Sequence, residues 1–276
     1  MMTKEAESAA ESDVVLHPIY GAALPALNWI PAPRYLMRRS MVLRLMRDAP
    51  PSRILDIGCG AGALLLDLAS MGHGGVGLDQ SPQALALARK IHGPGAAFEI
   101  HESAKPEWDG AFDVVSAFEV LEHIEDDRAA AADWRRYLRP DGRLIVSVPA
   151  HPELWNAADE WAGHVRRYRR AELAATLSDA GFEVGRIDCY GYPVANVMER
   201  FRARAYGRQL AGKTVDGQGQ VELTEESGAD RRVESKFWPV FSRWPATMAM
   251  SAACAMQRLF LSGDMGNGYI ALARPR

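Results

Sequence analysis

Short apolar runs rich in β-branched residues alternate along this chain with stretches whose apolar positions recur every three to four residues. The first pattern fits buried strands and the second amphipathic helices. Strands are expected at Arg53–Ile57, Gly75–Asp79, Ala96–His101, Phe112–Phe118, Arg143–Val148, Glu183–Asp188 and Tyr269–Ala273. Helices fit between them at Ala63–Ala69, Pro82–His92, Asp126–Leu138 and Arg170–Ala180. Ser81 is a good N-cap with Pro82 just inside the helix, and Gly181 is a natural stop after Ala180. Strands alternating with helices predict an α/β fold with a doubly wound, mostly parallel, seven-stranded sheet.

Two regions depart from this rhythm. Residues 17–48 read as one or two helices ahead of the first strand, and residues 190–266 as an insert before the last. The insert opens with a basic helical stretch, Val197–Leu210, continues as a polar, flexible linker over 211–232, and ends in the apolar segment Phe237–Leu261. Pro239, Arg243, Pro245 and Arg258 break that segment. Its uninterrupted part is too short to cross a bilayer, which takes roughly 20 residues. It fits a cap helix on the core, or a helix lying in a membrane interface and giving peripheral membrane contact. Met1–Asp13 is polar and acidic, lacks the apolar core of a signal peptide, and is expected to be a disordered lead-in to one domain over 14–276.

Composition narrows the partners. A formal net charge of −3 over 276 residues gives no reason to expect a nucleic acid. Cys59, Cys189 and Cys254 lie far apart with no C-x-x-C pair, which indicates neither a disulfide framework nor a cysteine zinc site. A cytoplasmic protein is the expectation.

The chemistry starts at the end of the first main strand. Asp56-Ile-Gly58-Cys59-Gly60-Ala-Gly62 places three glycines on alternate positions between a strand and a helix. Glycine lets backbone turn tightly and approach a ligand, and the helix that follows presents free N–H groups to it. This is a nucleotide cradle, and the glycine spacing alone also satisfies the dinucleotide fingerprint of nicotinamide enzymes. A carboxylate at Asp56 would repel a pyrophosphate but suits an amino group or a sulfonium. Asp79, ending the second strand, is placed to accept hydrogen bonds from two ribose hydroxyls.

These residues, with Phe112-Asp-Val-Val-Ser-Ala-Phe-Glu-Val-Leu-Glu-His123 and Gly142-Arg-Leu-Ile-Val-Ser-Val-Pro149, resemble the class I S-adenosylmethionine-dependent methyltransferases, which are Rossmann-like. The resemblance implies that Asp56, Gly58, Cys59, Gly60 and Gly62 hold the methionine part of the cofactor S-adenosylmethionine and of its product S-adenosylhomocysteine. It implies Asp79 at the ribose, Gln80, Glu102 and Ser103 beside the adenine, and Glu119 closing over the cofactor. The Cys59 side chain itself reads as a packing residue.

Methyl transfer needs an oriented acceptor made nucleophilic. Two clusters past the strand ends could do that: Glu119, Glu122 and His123, in an E-x-x-E-H turn, and His164 in Gly163-His164-Val-Arg166-Arg-Tyr168. The turn resembles that of the ubiquinone-biosynthesis O-methyltransferases and of the small-RNA 3′-terminal 2′-O-methyltransferases. Carried over, Glu119, Glu122, His123 and His164 would ligate Mg²⁺ or Mn²⁺. Equally open are His164 or His123 as a metal-free base beside Glu122, and histidines with a structural role, Glu122–His123 capping the next helix. Arg166, Arg167, Arg169 and Arg170 read as a solvated helix entry. The stretch Val148–Glu172 resembles bacterial enzymes of secondary-metabolite or envelope-glycolipid biosynthesis. The expected activity is therefore O-methylation of a small or lipid-like, hydrophobic acceptor, with N- or C-methylation as the rival. A nicotinamide oxidoreductase and a non-catalytic cofactor-binding module are the remote alternatives.

Overall fold

The computed structural model describes residues 14–210, 235–236 and 238–276, so the expected lead-in and the linker 211–232 lie outside the described residues. The strands are β1 (Val15–His17), β2 (Gly21–Ala23), β3 (Arg53–Ile57), β4 (Gly74–Leu78), β5 (Phe98–His101), β6 (Phe112–Phe118), β7 (Leu138–Pro149), β8 (Phe182–Tyr190) and β9 (Gly268–Pro275). The helices are α1 (Pro33–Met46), α2 (Ala63–Ser70), α3 (Pro82–Ile91), α4 (Asp127–Arg135), α5 (Ala157–Ala162), α6 (Arg170–Asp179), α7 (Val194–Leu210), α8 (Trp238–Phe241) and α9 (Ala246–Met256).

Seven strands form one sheet in the order β5-β4-β3-β6-β7-β9-β8. β9 runs antiparallel to both of its neighbours, and β3 to β7 are parallel. Both faces are covered, which explains why the strands are apolar at successive positions rather than alternate ones. On one face Ile54, Val114, Ile145 and Ile270 pack with Met37, Met41 and Met46 of α1 and Leu64, Leu65 and Leu68 of α2. On the other, Leu55, Val115, Leu144 and Ala271 pack with Trp134 of α4 and Leu173 and Leu177 of α6. Each fully buried methionine or leucine is worth about 1.5–3 kcal/mol.

Three expectations change. Residues 17–48 begin with a two-stranded hairpin, β1–β2, and a 3₁₀ turn at Pro25–Leu27; only α1 is a regular helix. Gly21, at φ 75, turns that hairpin beneath the Arg39 side chain, which pairs with Asp67 at 2.6 Å. The helix expected to reach Leu138 ends at Arg135, because Leu138 pairs with Phe112 and starts β7 ahead of a register shift. The E-x-x-E-H run is not α-helical: Leu121–His123 is one 3₁₀ turn. Nor do Glu122 and His123 cap α4, since Asp126 is its N-cap and accepts from Ala129 N–H at 3.0 Å.

The insert is tied to the sheet edge. Gln257, just past α9, is buried; Gly191 N–H donates to its Oε1, and its Nε2 donates to Met37 O (3.0 Å) and Ser40 Oγ (2.8 Å). One side chain thus joins α1, the end of β8 and the apolar segment, as a core cap requires. The outer side of that segment is open, with Trp244 78% and Leu259 79% exposed. Among the described residues no helix is long and apolar enough to cross a membrane.

Candidate active site

A cavity of about 720 Å³ opens at the C-terminal ends of the parallel strands, between β3 and β6, where the strand order reverses. That is where open α/β sheets bind ligands. The residues expected to hold the cofactor, Asp56, the three loop glycines, Cys59, Asp79, Gln80, Glu102, Ser103 and Glu119, all line it.

The cradle is built by backbone. Gly58, Gly60 and Gly62 have φ of 69, 57 and 70, the left-handed region that only glycine enters without strain. A Cβ on Gly58 would lie 2.4 Å from Val120 Cγ2, whereas one on Gly60 would meet nothing within 4 Å. Gly60 N–H donates to Asp79 Oδ2 (2.8 Å) and Ser81 N–H to Oδ1 (2.9 Å), so the loop and the next strand end share one carboxylate. His92, silent in the sequence, holds the third glycine by a 2.8 Å contact from Nε2 to Gly62 O. The Cys59 sulfur packs 3.0 Å from where a Cβ on Gly77 would stand, in keeping with a packing role.

Asp56 is opposite Ser116 in register, and Ser116 Oγ donates to its Oδ1 at 2.6 Å. Burial pushes the Asp56 carboxyl up to about 7, against the pull of Ser116 and Arg38. A ligand bringing a cation to this carboxylate would restore its ionisation. That is a direct fit between the residues present and S-adenosylmethionine.

The structure brings Glu122, His123 and His164 together and leaves Glu119 outside. One ligand atom from each of the three lies within 4.8 Å of the others. The two imidazoles meet edge to face with centroids 4.8 Å apart. Glu119 has φ 61, which turns its side chain away from the 3₁₀ turn. It accepts instead from Ser147 Oγ and Tyr190 OH, each at 3.1 Å, and pairs with Arg34 at 2.6 Å. Burial alone would raise Glu119, but Arg34 and Arg38 hold it at about 2.

Glu122 is 0% exposed, and neither of its oxygens has a hydrogen-bond partner. Burial and the neighbouring Glu119 charge push its carboxyl well above the usual range. His123 is driven down to about 4 by burial and by His164.

The sequence reading missed the residues that fix His164. Asp159 Oδ1 lies 2.9 Å from His164 Nδ1. Arg167 grips the same carboxylate with two bonds, Nε to Oδ1 (2.8 Å) and Nη2 to Oδ2 (2.7 Å). Burial would raise Asp159, but the hydrogen bonds from His164 and Arg167 hold it at about 2. An ionised carboxylate only accepts, so His164 donates from Nδ1, and its Nε2 stands 3.8 Å from Glu122 Oε1. Arg167 is therefore not part of a solvated helix entry: it is 4% exposed and also bonds Glu199 Oε1 at 2.5 Å. Glu199 comes from α7, and Asn267 Nδ2 donates to its second oxygen at 2.8 Å. Arg166, Arg169 and Arg170 do remain partly exposed.

Comparisons with known proteins give the family. A family described as a methyltransferase domain matches residues 32–186. Over 156 residues the chain is 33% identical to the ubiquinone biosynthesis O-methyltransferase of Xanthomonas oryzae pv. oryzae, covering 50% of this chain and 65% of that protein. Over 103 residues it is 37% identical to the mitochondrial ubiquinone biosynthesis O-methyltransferase of Schizosaccharomyces pombe, covering 35% and 37% of the two chains. It thus spans about two thirds or less of these relatives. Among solved structures, an S-adenosylmethionine-dependent methyltransferase from Mesorhizobium loti superposes with a TM-score of 0.52 at 17% identity, over 88% of this chain and 98% of that one. The [4+2]-cyclase SpnF does so at 0.51 and 20%, over 99% and 92%. A cyclase among the neighbours shows that the fold alone does not choose the reaction.

Sheet order, glycine cradle and paired acidic strand ends define a nucleoside-binding fold of the S-adenosylmethionine type. The chain belongs to the methyltransferase-domain family, and its fold is that of class I S-adenosylmethionine-dependent methyltransferases.

Proposed function

We propose that the protein methylates a hydroxyl oxygen of a small, largely apolar acceptor, with His164 as general base. The observation that carries this reading is the Asp159–His164 pair, which engages Nδ1 and leaves Nε2 as the ring nitrogen without a hydrogen-bond partner in a histidine that lines the cavity. S-adenosylmethionine supplies an electrophilic methyl carbon with a neutral leaving group, so the protein's task is orientation and proton removal. Asp56, Asp79 and the glycine loop position the donor. His164 Nε2 takes the acceptor proton as the oxygen–carbon bond forms and the sulfur–carbon bond breaks. Asp159 and Arg167 are positioning residues that keep the tautomer and ring fixed. Trp29, Tyr35, Phe118 and Trp161 line the same cavity and support an apolar, planar substrate. The ubiquinone-pathway relatives support oxygen rather than nitrogen or carbon as the acceptor atom.

A second reading, with a divalent cation such as Mg²⁺ or Mn²⁺, is favoured by one observation: the two partnerless oxygens of buried Glu122. Glu122, His123 and His164 would hold the ion, without Glu119, and it would supply Lewis acidity at the acceptor oxygen.

The test combines binding and turnover. His164→Ala and Asp159→Asn should leave S-adenosylhomocysteine affinity intact and lower methyl transfer to phenols and catechols by about 10²–10⁴-fold. Unchanged turnover would remove the base. Calorimetric uptake of Mn²⁺ by the S-adenosylhomocysteine complex, lost in Glu122→Ala, would transfer the role to the metal.

The exposed Trp244 and Leu259 support peripheral membrane contact through the apolar segment.

A further inference from the structure

Across the sheet edge from the cavity, three donor side chains converge that methyl transfer does not use. His151 follows β7, Cys189 lies near the end of β8, and Asp264 sits in the loop before β9. One ligand atom of each lies within 4.8 Å of the other two. Cys189 Sγ is 4.0 Å from His151 Nε2. Three segments far apart in sequence thus deliver a sulfur, an imidazole nitrogen and a carboxylate oxygen to one point.

The surroundings are shaped around the sulfur. Gly266 N–H donates to Cys189 Sγ at 3.1 Å, the bond that stabilises a thiolate ligand. A Cβ on Gly266 would stand 3.0 Å from that sulfur and 2.1 Å from Tyr190 O, so only glycine lets the loop come this close. His151 has φ 63, a conformation a non-glycine residue keeps only when its surroundings enforce it. Its Nδ1 lies 3.7 Å from the Glu153 carboxylate, beyond hydrogen-bond reach but on the side away from Cys189. Asp264 Oδ1 is fixed by Tyr269 OH at 2.6 Å. His151 and Asp264 face an open cleft together with Glu153 and with Arg170, whose Nη2 stands 3.4 Å from Asp264 Oδ1 and would have to swing aside for an ion.

We propose that His151, Cys189 and Asp264 form a second metal site, for a zinc-type divalent ion, that fastens the β7 exit, β8 and the loop before β9 to one another. The donor set selects the ion: thiolate and imidazole favour Zn²⁺ or Co²⁺ and disfavour Mg²⁺ and Mn²⁺. Bond lengths of about 2.0–2.3 Å to the three atoms require them to close in by up to about 1 Å from where they stand. The next residue, Tyr190, reaches Glu119 at the wall of the methyltransferase cavity. An ion on Cys189 would therefore steady that wall without touching donor or acceptor. The site does not depend on which group deprotonates the acceptor.

The probe is Co²⁺ alone, titrated into chelator-treated full-length protein and followed by thiolate-to-cobalt charge transfer in the near ultraviolet. One equivalent should bind with that band, compete with Zn²⁺, and persist in Cys254→Ser and Glu122→Gln. Cys189→Ser should abolish the band, and His151→Ala should weaken binding at least tenfold. No band, or a band that survives Cys189→Ser, would overturn the site. Should Cys189→Ser not fold, Asp264→Asn on the exposed loop decides: at least tenfold weaker Co²⁺ binding with the band retained supports the site, and unchanged affinity overturns it.

Discussion

Asp56 shows how much one buried carboxyl can report. Burial pushes its carboxyl, ordinarily near 3.8, up to about 7. The folded value is raised, so this group lowers stability as pH climbs from about 4 to about 7, because the unfolded chain gives up the proton first. Ligand affinity runs the other way. Calorimetry of S-adenosylhomocysteine should show affinity falling up to about tenfold per pH unit below 7, and Asp56→Asn should flatten that slope. A slope unchanged in the variant would place the ligand's cation elsewhere. Asp56 and Asp79 were legible in the sequence because one lies near the end of β3 and the other just past β4, both next to the glycine loop. Asp159 was not: it lies on the short helix α5, and its meaning comes from Arg167 and His164 beyond it.

At the scale of elements, the glycine loop separates stability from binding. Gly58→Ala drives a methyl into Val120, whereas Gly60→Ala points one into open space at the ligand site. Both pay a left-handed backbone cost of about 1–3 kcal/mol. Thermal melts should therefore show Gly58→Ala as the less stable, while calorimetry should show Gly60→Ala losing S-adenosylhomocysteine by more than its melt explains. Equal melts would mean that Val120 moves aside. The strands and helices around this loop follow the hydrophobic period, and most ends fall within two or three residues of expectation. The 3₁₀ turn at Leu121–His123 does not follow it. A three-residue turn has no period to read, and the left-handed Glu119 before it removes that side chain from the cluster its spacing suggested.

Across the whole molecule, a buried charge network joins α1, the two site loops and the insert: Arg34 with Glu119 and Glu199, and Arg167 with Glu199 and Asp159. Removing one partner strands the others, so Arg167→Leu should cost about 3–5 kcal/mol in urea melts. Little loss would show that water enters and solvates the two carboxylates. Because the folded value of Asp159 is depressed to about 2, its contribution is full above pH 4 and disappears as pH falls toward 2. The outer face of the insert makes a separate prediction. Vesicles of phosphatidylcholine with phosphatidylglycerol should co-sediment the protein, and Trp244→Ser with Leu259→Ser should release it; equal partition of the variant would discard the membrane face. The sequence by itself determined the sheet, the helices that cover it and the glycine loop and strand-end carboxylates that come to one cavity, because hydrophobic period, glycine spacing and strand ends are local properties. Only the tertiary structure decided which carboxylate accompanies His123 and His164, which arginine is buried, and that Glu199 of the insert belongs to the site wall. Those follow from burial and charge pairing between residues up to 165 positions apart (Arg34 and Glu199), and no local pattern encodes them.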